Sequence, residues 1–225
     1  MNILIVSATA KENGLATGLD VKKGIPIRVK EPFNHDVDVL VTGVGAVPTT
    51  FFLTKVVENY QLVINIGIAG SYNPIYSIGS VVCINEDTFG DYGIDDRGVF
   101  KSLCDVNINA KDEFPFLGDT LNNPWLKNAL FEIKLPLVKG VTLSTASGSE
   151  EIIRKIKERW NADVETMESA SVFYVCRLMD IKFVCLRSIS NMVEPRDRSK
   201  WDFKNSINNL THEVRRLINS ITSDC

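Results

Sequence analysis

Six short, nearly continuous runs of apolar residues constrain this chain more than any other feature of its sequence. Runs of Val, Ile and Leu of this length predict strands that are buried on both faces of a sheet. Helical patterns separate several of them, which is typical of parallel strands joined by crossover helices. A tight turn is expected at 69–71 and a loop-rich stretch at 87–121. The predicted strands cover residues 2–8, 36–45, 62–67, 80–85, 137–143 and 183–189.

Four helical patterns complete the predicted fold. Helices are expected over 48–60 and 168–179, and a third begins where Ser147 and Glu150 form a capping box. Its predicted buried face carries Ile152, Ile153, Ile156 and Trp160. A stripe at helical spacing predicts a last helix and comprises Phe203, Ile207, Leu210, Val214, Leu217 and Ile221. No linker-like stretch interrupts this pattern, so we predict a single α/β domain over 1–225. It has three layers, α/β/α, around a central twisted, mostly parallel (mixed) sheet.

Composition excludes several classes of protein. The 225 residues carry 25 Lys and Arg against 28 Asp and Glu, so a net charge of −3 disfavours nucleic acid as a partner. No apolar run approaches the roughly 18 residues of a transmembrane helix, and the N-terminal run is strand length rather than a signal peptide. The five Cys form no C-x-x-C and the two His are isolated. We therefore expect a cytoplasmic protein that binds no membrane and no metal.

Glycines and acids gather where predicted strands end, which is where α/β folds bind ligands. They lie in segments 7–12, 43–45 with 65–70, and 165–170 with 187–191. Taken singly, each has an ordinary explanation. The two glycines of 43–45 suit a tight turn better than a dinucleotide site, isolated glutamates are usually solvated or capping, and methionine usually fills a core.

The order of these segments resembles the family of nucleoside phosphorylases and nucleosidases that cleave purine N-ribosides. The resemblance covers residue 1 to about residue 220 and implies a nucleoside phosphorylase-like fold. Segments 87–96 and 190–198 are similar to the branch that releases hypoxanthine from futalosine on a route to menaquinone. The resemblance to the family as a whole rests on five motifs in order: the strand MNILIVSA with Glu12 after it, V-T-G-V-G-A at 41–46, N-I-G-I-A-G at 65–70, E-T-M-E-S-A at 165–170 and R-S-I-S-N at 187–191.

The resemblance implies roles at the sugar. Breaking an N-glycosidic bond builds positive charge on the ribose and negative charge on the purine. Glu12 matches the residue that orients and deprotonates the attacking water. Glu168 matches the carboxylate that accepts hydrogen bonds from the ribose 2′- and 3′-hydroxyls, and Met167 matches the side chain against the sugar. No cofactor is implied.

The resemblance also implies roles at the purine. Asn191 matches the residue that faces purine N7 and the C6 substituent, whereas adenine-specific nucleosidases of the family carry Asp there. Thr145 and Ala146 fall where the base is lined. The amide suits a 6-oxopurine, because it can donate to O6 and accept from N7–H.

Departures from the phosphorylases favour water as the nucleophile. Positions that hold phosphate in those relatives, an arginine and a hydroxyl, match Asn65 and Ile68 here. A dianionic phosphate would therefore lack charge-matched donors. Ile68, Ala69 and Gly70 are still expected to line the substrate site.

The carboxybenzoyl end of futalosine needs an apolar slot and a cation. Arg196 and Arg198 are candidates for that cation, and the alternative is that both pair with surface acids such as Glu194 and Asp197. The residues Phe89, Asp91 and Tyr92 either close over the substrate or belong to a solvated loop with one buried aromatic.

Four functions remain open on the residues alone. They are a futalosine-cleaving hydrolase, a methylthioadenosine/adenosylhomocysteine nucleosidase, a purine nucleoside phosphorylase and a non-catalytic nucleoside-binding protein. Asn191 argues against the second, the missing arginines against the third, and the pair Glu12 and Glu168 against the fourth. The resemblance further implies a homodimer or larger homo-oligomer, with a neighbouring subunit near the 5′ side of the pocket.

Overall fold

A nine-stranded mixed sheet forms the centre of the computed structural model, which describes residues 1–126 and 131–222. In chain order the strands are β1 (Asn2–Ser7), β2 (Ile27–Arg28), β3 (Asp36–Val41), β4 (Leu62–Ser71), β5 (Val81–Asp87), β6 (Gly93–Asp96), β7 (Val99–Ser102), β8 (Leu121–Asn122), β9 (Leu137–Thr142), β10 (Val164–Thr166) and β11 (Lys182–Met192). The described α-helices are α1 (Ala46–Thr54), α2 (Glu150–Trp160), α3 (Ser169–Leu178) and α4 (Phe203–Ser220). Strands β6 and β7 form a separate antiparallel hairpin.

The strand order is β10-β9-β5-β11-β4-β1-β3-β2, with β8 beside β5. The run β3-β1-β4-β11 is parallel, as are β5-β9-β10, while β5 and β11 are antiparallel. This confirms the predicted α/β fold with a mostly parallel mixed sheet. Strand β10 also pairs antiparallel with β4, so β4, β11, β5, β9 and β10 close on themselves. That closure brings the end of β10 to the carboxyl ends of β4 and β11.

Helices cover both faces of the sheet, because side chains alternate along its buried strands. On β1, Ile3 and Ile5 pack in the cluster that contains the predicted last stripe from Leu210 onward, whereas Phe203 at its start is 40% exposed. Leu4 and Val6 pack on the opposite face, in the cluster that contains the buried side chains of α1 and α3. Burying one such side chain contributes about 1.5–3 kcal/mol, so the alternation fixes which face each helix covers.

Strand β4 continues through the segment predicted to be a tight turn. Gly70 and Ser71 pair with Glu165 and Val164 of β10, which extends the strand to Ser71. A Cβ atom on Gly70 would lie 2.8 Å from Val193 Cγ2, so only glycine allows this close approach. The prediction of a turn at 69–71 was wrong because β10 was not recognised as a strand that could pair there.

Two helix boundaries also differ from the predictions. The helix predicted over 48–60 ends at Thr54 and is followed by a 3₁₀ turn, because Val56 leaves the helical region at φ −129°. Helix α2 is capped by Ser149, whose side chain accepts from the backbone N–H of Ile152, and not by Ser147. Ile152 is 47% exposed, so it does not belong to the buried face.

Within the described residues, none of the helices combines the length and the apolar character that crossing a membrane requires. Three free cysteines, Cys83, Cys176 and Cys185, are buried, and Cys104 is half-buried. Cys225 lies outside the described residues.

Candidate active site

A cavity of about 160 Å³ opens where β4, β10 and β11 end, beside the turn that follows β1. Strand ends from four separate parts of the chain therefore supply its walls. Nine of the residues predicted from the sequence to form the site line this cavity: Glu12, Ile68, Ala69, Gly70, Ala146, Met167, Glu168, Asn191 and Arg196.

Glu12 closes a short 3₁₀ turn, Ala10–Glu12, directly after β1. Its Oε2 accepts hydrogen bonds from the backbone N–H and from the hydroxyl of Thr9, both at 3.0 Å. Within the described part of the chain its Oε1 has no hydrogen-bond partner. One oxygen thus fixes the carboxylate while the other can accept a proton from a bound water.

Glu168 stands at the N-cap position of α3 without a side-chain capping hydrogen bond, and its Oε1 accepts instead from the backbone N–H of Gly45 at 2.8 Å. Burial raises the pKa of this carboxyl, and the neighbouring negative charge of Glu12 raises it further. The buried guanidinium of Arg187 and the Gly45 N–H oppose that rise. Two carboxylates therefore share one wall, called here the ribose wall, and its charge suits a cationic sugar.

Asn191 reaches the cavity because β11 carries a bulge between Ile189 and Asn191, which pairs Asn191 with Gly70. Its Oδ1 accepts from the Ser190 hydroxyl at 2.8 Å, and its Nδ2 donates to the carbonyl of Met192 at 2.9 Å. These bonds hold the amide plane and leave one N–H and one oxygen lone pair free. The amide can therefore donate one hydrogen bond and accept another from a ligand.

Glu165 is a further carboxylate of the cavity and lies beside the Asn191 amide. It was not among the site residues predicted from the sequence. A Cβ atom on Gly70 would lie 3.3 Å from Asn191 Nδ2 and 3.5 Å from Glu165 Cγ, so both side chains converge there. Glu165 accepts from the Tyr72 hydroxyl and from the backbone N–H of Ser147, the latter at 3.1 Å. Burial raises its pKa. We call Asn191, Glu165 and Ser147 the base wall.

An aromatic ring with two guanidinium groups lies at a third side of the cavity. Trp201 lines the cavity, and the guanidinium carbons of Arg196 and Arg198 lie 5.6 and 5.9 Å from its ring centre. Among the described residues neither arginine forms an ion pair. Glu194 pairs instead with Lys200, at 2.7 Å, and the carboxylate of Asp197 accepts from Ser199. The alternative prediction, that both arginines pair with surface acids, was therefore wrong for the described residues.

Comparison with known proteins assigns the family. The model of the phosphorylase superfamily matches residues 16–223, which is most of the chain. This chain belongs to the phosphorylase superfamily.

Members of the superfamily align with this chain over most of their length. A futalosine hydrolase from Thermus thermophilus is 26% identical and aligns over 80% of each chain. A futalosine hydrolase from Acidothermus cellulolyticus is 29% identical over 96% of this chain and 89% of its own. In structure, the chain is similar to the 5′-methylthioadenosine/S-adenosylhomocysteine nucleosidase of Neisseria meningitidis, solved with methylthio-immucillin-A, with a TM-score of 0.76. That pair is 17% identical and covers 98% and 99% of the two chains, which supports the fold.

Other residues predicted for the site lie outside this cavity. Thr145 is exposed beside it. Phe89, Asp91 and Tyr92 line a second cavity of about 400 Å³ between α1, Tyr174 and the 113–116 loop. The Asp91 carboxylate accepts from the backbone N–H of Ser144 at 2.7 Å, which holds its loop against the chain after β9.

The residues that sequence reasoning missed differ in how visible they were. Glu165 stands two residues from Met167 in a motif already singled out, and a charged residue inside a buried strand is a usable signal. Tyr72 carries no such signal, because its contact with Glu165 joins residues 93 apart. Trp201 follows the two arginines closely, and its aromatic side chain beside unpaired cations could have been noticed.

Proposed function

We propose that this chain hydrolyses the N-glycosidic bond of futalosine and releases hypoxanthine and dehypoxanthine futalosine, a step on a route to menaquinone. The observation that carries the proposal is the convergence of Glu12, Glu168 and Asn191 on one cavity. The similarity to two futalosine hydrolases over most of their length supports the choice of substrate.

At the ribose wall, Glu12 takes a proton from a water molecule that attacks C1′ of the ribose. Its free Oε1 is the acceptor for that proton, while Thr9 holds Oε2. Glu168 accepts hydrogen bonds from the ribose hydroxyls, and its negative charge stabilises the positive charge that develops on the sugar. Burial strengthens that electrostatic interaction, because little water screens it.

Water rather than phosphate is the nucleophile in this proposal. Four glutamates and one arginine line the cavity, a charge balance that repels a dianion. Asn65 is committed elsewhere, since its amide donates to the carbonyl of Val6 and its Oδ1 accepts from Arg187 at 2.6 Å. Ile68 offers no hydroxyl. Arg196 is the one cationic side chain among the described residues that line the cavity, so a phosphate would find no set of charged donors there.

At the base wall, Asn191 recognises a 6-oxopurine. Its free N–H donates to O6. As the C1′–N9 bond breaks, its electron pair goes to the purine, solvent water protonates N7, and the Asn191 carbonyl accepts from that N7–H. Glu165 holds the backbone of Ser147 against the same side of the cavity. An adenine would place an amino donor against the amide N–H, which disfavours methylthioadenosine as the substrate.

The third side of the cavity distinguishes futalosine from smaller nucleosides. Its carboxybenzoyl group carries a carboxylate, and Arg196, which lines the cavity beside Trp201 and forms no ion pair among the described residues, offers a cation for it. A methylthio group would need no cation.

We propose a homodimer or larger homo-oligomer in solution. Val44, Val47 and Phe51 expose 55%, 81% and 57% of their surface on or beside α1, next to the cavity rim. A second copy that covers this face would exclude water from the 5′ side of the cavity. Analytical ultracentrifugation tests this directly, and a monomer at micromolar concentration would contradict it.

The central experiment is futalosine turnover with and without inorganic phosphate, followed by chromatography of the products. We expect hypoxanthine to be released at the same rate in both, and not by the Glu12→Gln variant. A ribose-1-phosphate product, or a rate proportional to phosphate, would identify a phosphorylase. Faster cleavage of methylthioadenosine than of futalosine would favour the nucleosidase alternative. Absence of free base from every nucleoside would leave a binding protein and overturn the proposal.

A further inference from the structure

Asp87 is a buried carboxylate that the proposed mechanism does not use. It ends β5 and is only 1% exposed, behind the cavity rather than on its surface. A Cβ atom on Gly140 of β9 would lie 2.7 Å from Asp87 Oδ2. The neighbouring strand therefore leaves room for this carboxylate, since any side chain at position 140 would displace it.

Three donors converge on the two oxygens of Asp87. Its Oδ1 accepts from the backbone N–H of Thr88 at 2.7 Å and from the Thr142 hydroxyl at 3.2 Å. Its Oδ2 accepts from the Ser169 hydroxyl in a short hydrogen bond. The described residues provide no ion pair for it, although the buried charge of Arg187 acts on it from β11. The carboxylate is thus held by hydrogen bonds from neutral groups.

The same hydroxyls fasten both ends of the segment that carries Met167 and Glu168. On one side, Thr166 Oγ1 lies 3.1 Å from Thr142 Oγ1 and within hydrogen-bond distance of Ser169 Oγ. On the other side, the backbone N–H of Ala170 donates to Thr142 Oγ1 at 2.9 Å. Met167 and Glu168, which line the cavity, therefore lie between two hydrogen-bonded positions that both connect to Asp87.

An ionised Asp87 gives these hydroxyls a single consistent direction. Thr142 and Ser169 each donate to the carboxylate, which leaves their oxygens free to accept from Ala170 N–H and from Thr166. Without an acceptor at position 87, both hydroxyl protons would lose their partner and compete for the oxygens that remain. The segment 166–170 would then have several arrangements in place of one.

We propose that Asp87 is a positioning residue for the ribose wall, which orients Met167 and Glu168 through the hydroxyls of Thr142, Thr166 and Ser169. This inference rests on the proposed function, because it assigns Glu168 to the ribose of a cleaved nucleoside. Asp87 itself touches neither the substrate nor the attacking water. Asp87 affects the reaction through the position of the Glu168 carboxylate, whose Oε1 accepts a hydrogen bond from the Gly45 N–H.

The first test is Asp87→Asn. It preserves the shape of the side chain and replaces one carboxylate oxygen with an NH2 group, which leaves either Ser169 or Thr142 without its acceptor. We expect kcat on futalosine to fall by about 10- to 100-fold, the cost of displacing a group in an active site by a fraction of an ångström to 1 Å. KM should change by less than about threefold, because contacts with the ribose strengthen as charge develops. A structural residue would instead lower the folded fraction and leave kcat per folded molecule unchanged.

A second pair of variants keeps the inference falsifiable if Asp87→Asn folds poorly. Thr142→Val removes the hydroxyl that links Asp87 to Ala170, whereas Thr142→Ser retains it. We expect Thr142→Val to lose kcat and Thr142→Ser to keep it within about twofold. Asp38→Asn is the matched control. Asp38 lies on β3, and three strands separate β3 from β5. Its carboxylate binds Arg28 and the Tyr60 hydroxyl, so kcat should not change.

The outcomes separate this inference from the proposed function. A wild-type chain that cleaves futalosine, together with wild-type kcat in Asp87→Asn or equal loss in both Thr142 variants, would overturn the inference alone. A wild-type chain that cleaves a different purine nucleoside would overturn the proposed substrate, and the variants would then be compared on that nucleoside. A chain that cleaves none would overturn both.

Discussion

The ribose wall and the base wall line one cavity, yet they differ in the polar groups they leave free and in how they are held. The ribose wall presents two carboxylates, Glu12 and Glu168, each with one oxygen fixed by a neighbour. The base wall presents the neutral amide of Asn191, and the nearby Glu165 has both oxygens occupied by Tyr72 and Ser147. The ribose wall thus retains carboxylate oxygens that can accept from a ligand, whereas the base wall offers a neutral amide and a carboxylate whose two oxygens are already engaged.

Among the variants of these two walls, Glu12→Gln should have the largest effect on activity, because it keeps the shape of the ribose wall and removes its general base. We expect kcat on futalosine to fall by about 10²- to 10⁴-fold, the usual contribution of general base catalysis, with substrate binding largely retained. Steady-state kinetics and a binding titration measure the two effects separately. Near-normal turnover would show that Glu12 does not activate the water.

Asp87, which we propose positions the ribose wall, should make the free energy of unfolding depend on pH. Burial raises the pKa of Asp87 to about 6, above that of an unfolded aspartate. The folded chain therefore holds this proton more tightly, and the associated stability is present below about pH 4 and lost as the pH rises through 6. Urea unfolding at pH 4.5 and pH 8 should show Asp87→Asn gaining up to about 3 kcal/mol relative to wild type at the higher pH. A difference that does not change with pH would contradict this.

Removing the charge of the second carboxylate tests what the ribose wall does in the transition state. Glu168→Gln should lower kcat/KM by about 10- to 100-fold, since a hydrogen bond to a charged group contributes about 1.5–3 kcal/mol. Both binding and kcat should suffer, because hydroxyl contacts exist before the transition state and strengthen in it. A change confined to KM would mean that Glu168 binds the ribose without stabilising its charge.

Placing a charge on the base wall should reverse its preference. In Asn191→Asp, an ionised carboxylate would oppose the O6 of hypoxanthine, whereas it could accept from the amino group of a 6-aminopurine. We expect the ratio of kcat/KM for futalosine over its 6-amino analogue to fall by about tenfold or more. Assays of both substrates with both proteins decide the point, and an unchanged ratio would mean that the base is recognised elsewhere.

The smallest effect should come from the exposed side of the cavity. Arg196→Ala should raise KM for futalosine by about threefold, the size expected of an exposed ionic contact, and leave kcat unchanged. Inosine lacks the carboxybenzoyl group, so its KM should be unaffected and it serves as the control. Equal increases for both nucleosides would show that Arg196 supports the cavity in general rather than the carboxylate.

Local pattern in the sequence determined the architecture and much of the site. Apolar runs of strand length and stripes at helical spacing depend only on which face is buried, so the buried strands and α4 follow from them. The order of the motifs indicated the family, and nine of the predicted site residues line the cavity.

Only the tertiary structure decided how distant polar groups meet. The pairing of β10 with β4 extends a strand where a turn was expected, and the resulting register brings Tyr72 to Glu165. Asp87 meets Ser169 across 82 residues, and no periodicity encodes that contact. The physical reason is that burial leaves a repeating signal along the chain, whereas a hydrogen bond between two strands depends on their register and on the space that a glycine such as Gly140 leaves between them.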